Sequence, residues 1–290
     1  MEGYLLILLY TLLNLGESIV VKTYAKRHGD GGMLMNAVIS FFASVFFAIT
    51  DTGGFYAPAD MIPLAVINAF LYAAGFYLTY VAYMIGPYGL TRLISSFSLM
   101  FSIFYGIIFL DEPTSAFTYV GISLTVAAML LVNCKKGTKD GEDTAKPSAK
   151  WLVCVAISLV ANGFISILTR MQQIQFNNLC SNEFQMISTA GAFLLLAVIG
   201  LITDREKLGK IGGHGILYGV GAGLFNGAKN FVTIAIYLFL PLSVISPTKT
   251  GLGMIVAFIT SVFFYKERYS LLQKIGVLCG TVAVVLLAIT

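Results

Sequence analysis

From Tyr4 to Thr23 the chain is almost wholly apolar, and nine further stretches repeat that pattern: Met33 to Thr50, Ile62 to Met84, Tyr88 to Leu110, Ser115 to Cys134, Trp151 to Met171, Phe184 to Thr203, Gly215 to Leu238, Leu242 to Tyr265 and Leu271 to Ile289. As helices these are long enough to cross the ~30 Å hydrocarbon layer of a bilayer. Lipid offers no partner for a backbone N–H or C=O, so each segment must satisfy its own hydrogen bonds as a helix. Composition agrees, with 58% hydrophobic residues, 11% charged and a mean hydropathy of +0.86 over 290 residues. The expected fold class is an all-α integral membrane protein with ten transmembrane helices. Its first partner is the lipid bilayer, and its expected home is a cell membrane, a bacterial inner membrane first of all.

The opening span has no basic region before it and no small-residue cleavage site, so it reads as a retained helix rather than a signal peptide. The four cysteines show neither CxxC nor metal spacing, and the two histidines, His28 and His214, fall in expected loops. No Gly-rich phosphate loop and no HExxH occurs. Neither a cofactor nor a metal is therefore expected, and the chain does not read as an enzyme.

One long hydrophilic segment, "KKGTKDGEDTAKPSAK" at 135–150, divides the chain into a first five-helix unit, 1–134, and a second, 151–290. Its mixed charge reads as a solvated connector. Fourteen Lys and Arg residues lie on the odd-numbered loops and their helix ends, against Arg170 alone on the even side. By the positive-inside rule the odd loops face the cytoplasm and both termini face outward. The net charge of +4 is accounted for by membrane orientation, and nucleic acid is not an expected partner.

The two halves resemble each other. "FLDEPTSAFTYVGISLTVAAMLLV" from Phe109 pairs with "FYKERYSLLQKIGVLCGTVAVVLLAI" from Phe264, which sets Glu112 against Glu267, Ser115 against Ser270 and Gly121 against Gly276 at an offset of 155. Tyr83 and Pro87 pair with Tyr237 and Pro241 at 154, and Asn14 and Lys22 with Asn162 and Arg170 at 148. Because five is odd, the second half enters the membrane from the opposite side, which makes an inverted repeat. Such repeats place a substrate site near mid-membrane at their interface.

These residues carry a resemblance to the drug/metabolite transporter superfamily in its ten-helix EamA-like form. "GPYGLTRLISSFSLMFSIFYGIIFLDEPTSAFTYVG" and "FFYKERYSLLQKIGVLCG" are similar to the family's glutamate-bearing junctions between helices four and five and between nine and ten. "NLGESIVVK" is similar to its first-helix ending, with Lys22 as the basic residue, although Leu15 stands where the family often has Trp. The resemblance implies a carrier of small molecules. Family members usually keep both termini inside, whereas the charges here place them outside.

Ionisable groups at membrane depth cost ~2.5 to 3.5 kcal/mol each, so they face a wet cavity or a partner. Four stand out: Glu17, Arg92, Lys229 and Lys249. Glu17 shares one face of its helix with Asn14 and Tyr10. It reads either as a proton-exchanging carboxylate or as half of a structural ion pair. Arg92 opens a stripe with Ser95, Ser96 and Ser102 and reads either as cavity-facing or as snorkelling to the headgroups. Lys249 follows Ser246 and Pro247. Lys229 shares a stripe with Asn226, Thr233 and Tyr237, with Asn230 beside it. Gly219, Gly223 and Gly227 have the spacing of close helix packing, and Trp151 reads as an interface anchor.

The leading expectation is a secondary transporter of a small polar metabolite, anionic or zwitterionic, working by alternating access. Lys229, Lys249 and Arg92 would neutralise the substrate, Asn14, Asn226 and Asn230 would orient it, and Glu17 would couple. Two alternatives stand beside it: a proton-coupled exporter of cationic or amphipathic compounds that uses Glu17, with protons as a second partner, and a non-transporting membrane scaffold.

Overall fold

In the computed structural model, residues 2–29, 31–51, 53–85, 91, 94–95, 97–133, 148–264 and 270–289 are described. Within them the regular elements are helices: α1 (Glu2–His28), α2 (Gly32–Thr50), α3 (Met61–Ile85), α4 (Leu99–Phe109), α5 (Ala116–Asn133), α6 (Ala149–Gln175), α7 (Ser181–Thr203), α8 (Gly213–Ile236), α9 (Leu242–Phe264) and α10 (Leu271–Ala288), with a 3-10 turn at Arg205–Ile211 before α8. Six stretches, α1, α2, α3, α6, α7 and Leu242–Thr260 of α9, are long and apolar enough to cross a membrane, the pattern of a multi-pass membrane protein. The outer face of α1 shows what that surface is like: Leu5, Leu8, Leu9 and Leu12 are all exposed. Arg92, Pro87, Glu267, Cys134 and the 135–147 part of the connecting segment lie outside the described residues.

Local chemistry sets the helix ends. Ser148 opens α6, its hydroxyl accepting from the Trp151 N–H at 3.1 Å. Ser270 and Gln273 form a reciprocal capping box on α10. Between α6 and α7, Asn177, Asn178 and Cys180 take positive φ of 52°, 62° and 57°. Asparagine tolerates this left-handed geometry better than most residues, and the turn reverses the chain within five residues, 176–180.

Helices of the two halves interleave. α1 packs on α8 and α6 on α3; α2 packs on α8 and α7 on α3; α1 packs on α9 and α6 on α4. Exchanging each helix for the one five places along turns the first member of each pair into the second. The packings α2 on α7, α4 on α9 and α5 on α10 map onto themselves, and each is present. The seams are close. A Cβ at Gly223 would lie 2.5 Å from Phe42 Cβ and 2.8 Å from the Ile39 carbonyl oxygen, so glycine there lets α8 lie against α2. Trp151 departs from the expectation of an interface anchor. It is buried against Ala82, Cys154 and Val155, because its indole N–H finds an acceptor inside, the Thr91 hydroxyl at 2.8 Å.

A second capping device joins the halves. Both carboxylate oxygens of Glu112 accept backbone N–H groups at the start of α9, from Leu242 at 2.6 Å and Ser243 at 2.8 Å. A carboxylate there satisfies two orphan donors and sits at the positive end of the helix dipole. Gly106 makes room for it, since a Cβ at that position would collide with the Glu112 carboxylate.

Candidate functional site

Tyr10, Asn14, Glu17, Val21 and Tyr24 recur at spacings of 4, 3, 4 and 3 along α1, which puts them on one helical face. On α8 the facing polar residues are Asn226, Lys229, Asn230 and Thr233. The two helices come close enough to join these sets because Gly16 has no side chain: a Cβ there would lie 2.7 Å from the Phe225 ring.

The result is a continuous chain of hydrogen bonds. Lys229 Nζ pairs with Glu17 Oε2 and also donates to Asn14 Oδ1 at 3.3 Å. Asn226 Nδ2 donates to Glu17 Oε1 at 2.8 Å, and Asn230 Nδ2 donates to Asn226 Oδ1 at 3.1 Å. The Glu17 and Lys229 side chains are only 14% and 16% exposed, so the pair is held largely out of water, where removing one charge is far costlier than removing both.

Lys249 approaches from α9. Its ammonium donates to Thr233 Oγ1 at 2.9 Å and lies 4.0 Å from the centre of the Tyr10 ring and 5.8 Å from that of Tyr237. Thr233 in turn donates to the Lys229 carbonyl at 2.9 Å. Among the described residues no carboxylate pairs with Lys249, so ring faces and a hydroxyl hold its charge. Asn14, Glu17, Asn226, Lys229, Asn230 and Lys249 thus fall together, while Arg92 is outside the described residues.

Beyond this cluster, the even-loop end of α6 is tied to the end of α8. Arg170 donates to the Tyr237 carbonyl at 2.7 Å, and Gln173 donates to the Ile234 carbonyl at 3.0 Å. At the odd-loop end lies a partly open cavity of about 640 Å³. Its wall reaches from Gly31 and Gly32 inward to Gly75 and Asn162, with Val21 one helical turn from Glu17. Tyr24, Phe76, Tyr80 and Tyr83 supply aromatic surface, and Asn36, Thr79, Ser95, Ser98 and Asn162 supply neutral polar groups. No charged side chain lines it among the described residues.

Sequence reasoning did not find this cavity. Its inner edge is a residue with no side chain, Gly75, which becomes visible only when α3 lies on α6. Nor did it find Thr233 as the bridge between the two lysines, although that residue was on the right stripe. The available signal was Thr79, which stands opposite Thr233 at the same offset of 154 as Tyr83 and Tyr237.

No family model and no curated protein matches the chain. Among solved structures, one described only as "Crystal structure of protein" is similar to it with a TM-score of 0.66 at 12% identity, over 99% of this chain and 96% of that one. At that identity the likeness shows a shared fold alone.

Proposed function

We propose that this chain is a secondary transporter of the drug/metabolite type, with ten transmembrane helices arranged as two inverted five-helix repeats in a bacterial inner membrane. It moves a small polar metabolite, anionic or zwitterionic, by alternating access. The observation that carries this reading is the partly open cavity at the odd-loop end, between helices of the two halves, whose wall includes Val21 one helical turn from the largely buried Glu17–Lys229 pair. The helix pairs that exchange with one another or map onto themselves when the halves are exchanged support the repeat. A scaffold has no need of a cavity with amide and hydroxyl walls at that depth.

The charge arithmetic of the cluster narrows the substrate. Glu17 neutralises Lys229, which leaves Lys249 as the cation with no carboxylate beside it among the described residues. The one surplus positive charge among the described residues suits a monoanion or the anionic end of a zwitterion better than a dianion. Replacing Lys229 and Lys249 together with methionine is expected to abolish uptake of labelled monoanions and zwitterions into proteoliposomes. Transport undiminished in the double variant overturns the assignment of these lysines.

A second reading, a proton-coupled exporter of cationic or amphipathic compounds, draws on the aromatic lining and on Glu17 as the carboxylate of the cluster. It predicts that adding a cationic compound to purified protein releases protons, and that Glu17→Gln abolishes the release.

A further inference from the structure

The register between the halves, extended along α3 and α8, puts more than Tyr83 and Tyr237 in correspondence. At the offset of 154, Thr79 stands opposite Thr233, and the buried Ala65, Ala69 and Ala73 stand opposite the buried Gly219, Gly223 and Gly227. Lys229 then falls opposite Gly75, and at the same offset Lys249 falls opposite Ser95. Each of these two lysines therefore corresponds to a small residue in the first half. Both small residues line the cavity.

The surroundings correspond as well. The Lys229 ammonium of the second half meets Asn14 Oδ1 of the first at 3.3 Å. Across the repeat, on α6 of the second half, Asn162 stands opposite Asn14. Its Nδ2 is bound to the Ser158 carbonyl at 2.8 Å, while its Oδ1 lies beside Gly75, 3.2 Å from where a Cβ would be. That oxygen accepts no hydrogen bond among the described residues. Ser95 Oγ is buried and likewise without a partner among them. Tyr83, opposite the Tyr237 whose ring flanks the Lys249 ammonium, presents its side chain to the same cavity. The α3–α6 side, with Asn162 from the second half and Ser95 and Tyr83 from the first, thus has the acceptors and ring of an ammonium site but, among the described residues, lacks the lysine.

We propose that this corner of the cavity seats the primary ammonium of a small zwitterion, which takes at Asn162 the place the Lys229 ammonium takes at Asn14. The inference rests on the carrier reading and sharpens its substrate class. The zwitterion follows from a difference between the halves: opposite Glu17 stands Ile165. Among the described residues the seat therefore offers acceptors and aromatic faces but no countercharge. An ammonium leaving water without a countercharge is expensive, whereas a ligand with its own carboxylate arrives neutral overall.

Four probes of equal chain length separate the chemistries: 4-aminobutyrate, n-butylamine, butyrate and n-butanol, each titrated against the thermal midpoint of the purified full chain in detergent. 4-Aminobutyrate is expected to stabilise most, with butylamine weaker and butyrate and butanol inert. Asn162→Leu should remove the stabilisation. Asn162→Asp, which adds the missing countercharge, should tighten butylamine by about tenfold. Equal stabilisation by butyrate or butanol overturns the seat, as does a 4-aminobutyrate response unchanged in Asn162→Leu or butylamine binding unchanged in Asn162→Asp. Stabilisation by butylamine alone overturns the zwitterion. The carrier reading is scored separately, by counterflow of labelled 4-aminobutyrate in proteoliposomes: binding without counterflow keeps the seat and sinks the carrier, and butyrate counterflow without amine binding does the reverse.

Discussion

Glu17 spends both carboxylate oxygens on α8, one on the Lys229 ammonium and one on the Asn226 amide. Such a pair stabilises little against an apolar replacement of both members, but leaving either charge alone in a water-poor site costs about 3 kcal/mol or more. Lys229→Met and Glu17→Gln, each alone, are therefore expected to lower the thermal midpoint in detergent clearly, and the two together to restore most of it. A double variant as unstable as the sum of the singles would show that the residues act separately. The polar stripe of α1 was legible in the sequence, because charge in an apolar helix stands out and 3.6-residue periodicity puts Tyr10, Asn14 and Glu17 on one side. The partner of Glu17 was not legible: Lys229 is 212 residues away, and the sequence left ion pair and free carboxylate both open. Trp151 misled for a related reason. Its place near a helix start fits a headgroup anchor, and only the fold reveals the Thr91 hydroxyl inside.

Among the elements, α9 depends on a residue from the other half. Glu112 closes its N-terminus with two charge-assisted hydrogen bonds, each worth about 1.5 to 3 kcal/mol. Gly106 provides the space, so the two positions form one latch. Glu112→Ala is expected to destabilise the protein by about 2 kcal/mol or more, and Gly106→Ala by displacing the same carboxylate. In the double variant the losses should not add, because the methyl group introduced at position 106 then has no carboxylate to displace. A double variant whose loss equals the sum would mean that Gly106 serves another contact. The sequence marked Glu112 as one of a repeated pair with Glu267. It gave no hint that the side chain reaches across to α9, since capping is recognised locally and this cap comes from 130 residues away. The positions of the six long apolar helices, by contrast, were readable to within one or two turns, because twenty-residue apolarity has one solution in lipid, whereas of the span expected from Tyr88 to Leu110 the continuous described helix is Leu99–Phe109.

For the molecule as a whole, the two ends of the α1, α3, α6 and α8 group are in different states. At the odd-loop end the cavity separates Tyr83 and Thr79 from Asn162, whereas at the even-loop end Arg170 and Gln173 fasten α6 to the carbonyls of α8. Corresponding residues thus have unlike surroundings: Thr79 lines a cavity, and Thr233 is held between Lys229 and Lys249. If alternating access operates, each half takes the other's arrangement in turn, and the Arg170 bond to the Tyr237 carbonyl is part of the barrier. In a background with the four native cysteines replaced, Thr79→Cys is expected to react with a membrane-impermeant maleimide added to the odd-loop side, and Thr233→Cys to be protected from both sides. Arg170→Met removes one tie at the even-loop end and should raise Thr233→Cys labelling from that side several-fold while lowering Thr79→Cys labelling. Loss of protection at Thr233 without a fall at Thr79 would mean that the even end had loosened without the odd end closing, and the two ends would then not belong to one exchange.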